Sequence, residues 1–222
     1  MIGPELEEIT YRYLPEALFE RLLRGVFLAH SAAWEECRAS YAETEVENLL
    51  PYSRRAKFEG YLRDAVAMVS GVTASVEKAE GSSWNHTELR SGPVVLTASS
   101  VPVPCGPVNP ADFRLKLAEK TLADDGQSPL WDDAAESSAE DESLYVLLLH
   151  SKSRWPNVED VLRYGHLPGS AYIAFPTPDL TRYTYAVNLF SKFPRVMGSL
   201  TPQEWDAEAR LRYVQRARRM VQ

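Results

Sequence analysis

The sequence predicts an α+β fold: a central antiparallel or mixed sheet of about five strands, flanked by helices and followed by a C-terminal helix. Three observations carry this. Two long stretches near the front of the chain repeat their apolar residues at helical spacing. Three short strand-like runs then follow with turn residues between them, and one later run, Leu144–His150, is apolar almost throughout. At 222 residues the chain supports one well-packed core, so a single domain over 1–222 is expected.

The first helix is expected after Pro15, a residue suited to a first helical turn. Leu18, Leu22, Val26, Ala29, Ala33 and Cys37 form its apolar stripe. Phe19, Leu23, Phe27, His30 and Trp34 widen that stripe past half the circumference, so this helix should be largely buried, with His30 a core or boundary residue. A second helix is expected from Pro51 and Ser53, with Phe58, Leu62, Ala65, Val66 and Val69 repeating until Gly71. Strand-like runs begin at Val72, Ser82 and Pro93, the last two joined by a turn at Ser91-Gly92, which reads as a meander. The proline-rich Val101–Pro110 segment interrupts regular structure, and a short helix should follow Pro110.

Residues 121–143 hold eight acids and no Lys or Arg, with few large apolar side chains, so an acidic flexible loop is expected there. Leu144–His150 should then be a central strand buried on both faces. A further strand is expected over Ala171–Pro176 and a helix from about Asp179 to Phe193. Thr201, Pro202 and Glu204 have the spacing of an N-cap, a first helical position and a capping box, opening a basic C-terminal helix over 201–222.

Composition excludes several classes. Apolar residues at 45% and charged residues at 25% rule out a disordered or collagen-like chain. No apolar run reaches the roughly 20 residues of a membrane span, and the first residues are acidic rather than a basic leader. A cytoplasmic protein without membrane contact is therefore expected. Cys37 and Cys105 lack metal-site spacing, and no glycine-rich phosphate loop is present, so neither a metal nor a cofactor is expected. The net charge of −7 is concentrated, because without the acids of 121–143 the chain holds 24 basic and 23 acidic residues. The excess of arginine over lysine fits a bacterial genome rich in G and C.

The order helix, three meandering strands, helix, central strand resembles the core element order of PD-(D/E)XK nucleases. That resemblance implies an acidic metal ligand on the second strand and an acid and a lysine two residues apart on the third. The second strand offers Asn85, His86 and Glu88, and Glu59 could stand for the helix acid. The third, Val94–Ser99, holds no charged residue.

A metal-independent chemistry needs only an acid, a base and a cation. His86 and His150 with Arg54, Arg55 or Lys57 would suit RNA or phosphodiester cleavage, the cation stabilising the developing charge. On a helical wheel Arg55 lies near the apolar centre with Glu59 four residues on, so Arg55 is expected to face the sheet. The structural alternative is an Arg–Glu pair at a helix end and a histidine that merely closes a buried strand. On the second strand, Trp84, His86 and Glu88 share one face by alternation and Asn85, Thr87 and Leu89 the other, which lets His86 pair with Glu88. Asn85-His86-Thr87 also matches a glycan acceptor, a match expected to be accidental without a secretory leader.

Binding candidates are Trp84 and Asn85, Lys152 just past the central strand, and Arg212, Arg216 and Arg219 on one face of the C-terminal helix. A protein partner is expected and nucleic acid is a second option, although a pI near 5.2 without a basic stripe interleaved with aromatics argues against specific nucleic-acid recognition. The expected function is that of a bacterial binding or regulatory protein acting through protein–protein contacts, of the kind found in toxin–antitoxin or phage-defence systems. A metal-independent RNase or phosphodiesterase is the alternative.

Overall fold

The computed structural model describes residues 3–78, 84–121, 143–155, 158–203, 209–210 and 212–215. The acidic segment expected to be a loop, apart from its end residues Thr121 and Ser143, lies outside the described residues, as do Glu204, Arg216 and Arg219.

The elements run α1 (Gly3–Tyr13), α2 (Glu16–Ser40), α3 (Glu43–Val66), β1 (Thr73–Lys78), β2 (Asn85–Ser91), β3 (Val94–Val101) and α4 (Asp112–Lys120). Then come β4 (Leu144–Lys152), α5 (Val158–Tyr164), β5 (Pro168–Pro176), β6 (Tyr183–Asn188), α6 (Leu189–Lys192) and α7 (Pro194–Leu200). The six strands form one mixed sheet in chain order, β1 through β6. Every neighbouring pair is antiparallel except β3 and β4, which run parallel and are joined through α4. The fold is α+β, with one strand more than the sequence predicts.

β4 is apolar on both sides because the sheet is covered on both. Leu144, Val146 and Leu148 join the core built with α1, α2, α3, α6 and α7, while Tyr145, Leu147 and Leu149 join a second core under α4. β4 therefore separates two layers, and the alternation of its side chains decides which layer each one meets.

α3 begins at Glu43 rather than at Pro51, which lies inside the helix. The reason is tertiary: Val46 and Leu50 pack with Ala33 and Cys37 of α2 in a small core of their own. That burial carries the helix through a proline that costs about 3 kcal/mol in a helix interior. Gly25 lets α2 and α3 approach closely, since a Cβ there would sit 3.1 Å from Tyr61 Cβ. The turn at Gly92 forms as expected, with a positive φ of 51° that glycine tolerates.

The helix expected over Asp179–Phe193 is instead β6 followed by the short α6. Tyr183, Thr184 and Tyr185 are β-favouring residues, and β6 pairs with β5 from Tyr172↔Asn188 to Pro176↔Tyr183. Asp179 closes the connecting turn by accepting hydrogen bonds from Thr177 Oγ1 at 2.5 Å and Thr181 Oγ1 at 2.8 Å. Helix begins only where Asn188 Oδ1 accepts from the backbone N–H groups of Phe190 and Ser191.

Thr201 is likewise not an N-cap. It ends α7, and its hydroxyl donates back to Met197 O at 3.1 Å. Of the expected C-terminal helix, residues 209–210 and 212–215 are helical, and Tyr213 is buried in the main core rather than part of a free basic tail. Among the described residues, no helix is long and apolar enough to cross a membrane.

Candidate functional site

Three polar places stand out, and they are separate. The first begins where the sheet opens. β2 and β3 pair only from Leu89↔Leu96 to Ser91↔Val94, so the front half of β2 is not laddered to β3. The Thr87 N–H, freed by this splay, donates to Glu59 Oε2 at 2.7 Å. On the other side Ala98 O accepts from Arg114 Nη2 at 3.4 Å. A carboxylate from α3 and a guanidinium from α4 thus take over backbone groups the ladder leaves unpaired, as buried backbone groups require. Arg63 Nη1 donates to Thr87 Oγ1 at 3.1 Å and ties the same residue to α3.

On the α4 side of this opening, His86, Glu88 and Arg90 project together from β2. His86 Nε2 lies 3.1 Å from Glu88 Oε1, and Arg90 holds Glu88 Oε2 through Nε at 3.1 Å and Nη2 at 2.5 Å. Burial works against the ionised Glu88, but the hydrogen bonds and charges of His86 and Arg90 outweigh it and hold its pKa below the usual range. An ionised carboxylate only accepts, so the proton of this bond sits on His86 Nε2. His86 Nδ1 is buried with no partner among the described residues, and its ring stacks on Phe113 at 3.6 Å between centroids. Glu77, Lys78, His86, Glu88, Arg90, Phe113 and Lys116 line a groove of about 370 Å³ here.

The second place is on the surface. Trp84 stacks on Tyr52 with centroids 6.1 Å apart, and Arg55 Cζ lies 5.2 Å from the Trp84 ring. Tyr52 is 60% exposed and Trp84 48%. Arg55 does not face the sheet as the helical wheel predicts; its neighbour Arg54 does, between Leu50 and Phe58 on the buried stripe of α3.

The third is wholly internal. His150 Nδ1 lies 3.1 Å from His30 Nε2, and Phe58 packs on the His150 ring at 5.0 Å. Among the described residues Arg54, 5% exposed, reaches only Gly165 O, through Nη2 at 3.4 Å, and its Nε has no partner. Burial lowers the Arg54 pKa to about 10, which leaves it charged at neutral pH. Burial and this charge in turn push His150 down to about 3, and burial, Arg54 and His150 push His30 well below its ordinary value. Both histidines are therefore neutral in the folded protein. A buried charge facing no carboxylate among the described residues is a cost to folding. Arg54→Met is expected to raise the unfolding free energy by about 1–2 kcal/mol; a lower denaturation midpoint than wild type would show that the guanidinium is a net stabiliser.

The sequence candidates therefore divide. His86 and Glu88 pair as alternation predicts. His86 and His150 do not meet: His86 faces α4, while His150 faces α2 and α3 across the sheet. The two-histidine arrangement with Arg55 thus has no common cavity. Glu59 and Glu88 also lie on opposite faces of β2, so they offer no shared metal position, and no group of three or more candidate metal ligands occurs among the described residues. Asn85 and Lys152 are exposed at strand ends, and Arg212 is exposed next to buried Tyr213. Sequence reading missed Arg90, Phe113 and Arg114, and named Arg54 only as one of three alternative cations beside Arg55 and Lys57. Arg90 continues the alternation of His86 and Glu88 and was within its reach; the others depend on which helix face meets which layer.

No protein-family model matches the chain, nor does any curated protein or solved structure.

Proposed function

We propose that this chain is a binding or regulatory protein that acts through protein–protein contacts, as toxin–antitoxin and phage-defence regulators do, with Tyr52, Arg55 and Trp84 as the contact centre. The observation that carries the reading is the exposed Tyr52–Trp84 stack under Arg55. Trp, Tyr and Arg are the residue types that dominate binding energy at protein interfaces. The stack is ordered before any partner arrives, which lowers the entropy cost of association. Beside it, β1 is the outer strand of the sheet among the described residues, and Val76 is 52% exposed on the same sheet face as Thr87, so the surface offers an apolar continuation. A partner that places a carboxylate against Arg55 and an apolar side chain on Trp84 satisfies this surface. The metal-independent RNase reading is not carried further, because the two histidines it needs lie on opposite faces.

A photo-crosslinking residue at position 52, used in expressing cells, identifies the partner. Its affinity is then measured for wild type and for Trp84→Ala, which should bind about 30-fold more weakly, the effect of losing about 2 kcal/mol at a contact centre. Crosslinks to RNA instead of protein, or an affinity that Trp84→Ala leaves unchanged, would overturn the proposal.

A further inference from the structure

Arg54 lies inside the protein, apart from the contact surface above, and carries a charge that the described residues do not balance. It sits on the buried stripe of α3 between Leu50 and Phe58, and Leu50 packs there with Ala33 and Cys37 of α2. The guanidinium is protonated at neutral pH, so each of its nitrogens donates and none accepts. Among the described residues one long bond, to Gly165 O at 3.4 Å, meets those donors, and the buried Nε meets nothing. Cys37 is the one titratable neighbour that favours the cation; no carboxylate among the described residues does. His30 and His150 are neutral and cancel nothing.

Charges inside proteins are ordinarily paired. A water molecule satisfies an orphaned N–H and leaves the charge uncancelled, whereas an anion does both. The surroundings limit its size. Gly165 has no room even for a Cβ, which would stand 2.4 Å from Val161 O and 2.7 Å from the Trp34 ring, so the turn that holds the guanidinium is closely packed. A polyatomic oxyanion needs space that such packing denies, and a monatomic ion needs the least. The flanking residues Tyr164, His166 and Leu167 line a groove of about 340 Å³, so the same turn also meets solvent, the source of the ion.

From these features, we propose that Arg54 holds a buried monovalent anion of halide size, chloride being the abundant one, which accepts from its Nε–H. The ion takes the hydrogen that no described residue takes and cancels a charge that otherwise weakens the folded state. Only the folded chain brings α2, α3 and the turn at Gly165 together around Arg54, so binding of the ion is linked to folding. Its charge also opposes the field that Arg54 sets at His30 and His150, and both rings therefore report its arrival.

The test uses the full chain at pH 7 and constant ionic strength, with sodium gluconate replaced stepwise by sodium chloride. Urea unfolding should show a saturable gain in stability. At ten times the dissociation constant of the ion, the ratio of folded to unfolded chain should rise about elevenfold. Sodium bromide should act in the same way. Arg54→Met should start more stable than wild type in gluconate and gain nothing from chloride, so the two proteins converge as chloride is added. Labelled histidine rings give a readout that does not need the variant. In wild type the His30 and His150 signals should move saturably with chloride, while those of His86, across the sheet, stay in place. A chloride gain that persists undiminished in Arg54→Met would be a general salt effect, and His30 and His150 signals that chloride leaves unmoved would mean that no ion arrives; either result overturns the site.

Discussion

Between pH 7 and pH 5 the protein is expected to lose about 4 kcal/mol of unfolding free energy through His30 and His150 alone. Both rings are buried against each other beside Arg54, and both folded-state pKa values lie below the ordinary 6.5, that of His150 at about 3. In the unfolded chain they take up protons near 6.5. Within this window the unfolded state thus binds more protons than the folded one, and stability rises with pH. The contribution is complete above 6.5 and declines by about 1.4 kcal/mol per pH unit for each ring as pH falls below it. It continues to decline until the folded rings themselves titrate, which for His150 is near 3.

Glu88 and Asp179 also have lowered values, that of Asp179 at about 2, but their contributions fade only in the more acidic carboxylate range. Urea unfolding at pH 7, 6 and 5 therefore isolates the histidines. Since typical domains hold only about 5–15 kcal/mol in total, the loss should be plain in the midpoint. The double variant His30→Leu/His150→Phe replaces the pair with apolar groups and should flatten the profile. A wild-type profile that is already flat, or one that the double variant leaves unchanged, would mean that the pair is not neutral when folded.

This buried group shows where sequence reading reaches its limit. The Leu144–His150 strand was legible because seven residues suited to burial on both faces leave a strand few other places. The pairing of His86 with Glu88 was legible because alternation along one strand is local geometry. Which arginine turns inward was not: Arg54 and Arg55 are adjacent, and the choice rests on Val46 and Leu50, which bind α3 to α2 and set the rotation of the helix. A helix boundary assigned to Pro51 removes those two residues from the wheel and shifts its apolar centre toward Arg55. The splay between β2 and β3 was equally hidden. Glu59 meets Thr87 across 28 positions and Arg114 meets Ala98 across 16, and nothing in either segment alone marks a broken ladder.

Removing the C-terminal residues from Arg210 onward should unfold or strongly destabilise the protein rather than merely detach a basic arm. Tyr213 is the reason. Its ring is buried in the main core, 5.5 Å from Phe190 and 6.2 Å from Trp155 between centroids, and its hydroxyl donates to Pro168 O at the start of β5. Burial raises its pKa well above 10, so the hydroxyl keeps its proton at any working pH. Tyr213→Ala should cost about 3–5 kcal/mol, the range for deleting a large buried aromatic side chain. Tyr213→Phe keeps the ring and loses only the hydrogen bond, so its cost should be about 1 kcal/mol. Equilibrium unfolding of the two variants separates packing from hydrogen bonding. If Tyr213→Ala were as stable as wild type, the segment would be an appendage after all and Arg212 beside it free to serve as an arm. With the expected loss, any weakening of partner binding by a tail deletion reports damage to the β5 side of the core. The role of the surface then has to be read from Trp84→Ala, which leaves the main core intact.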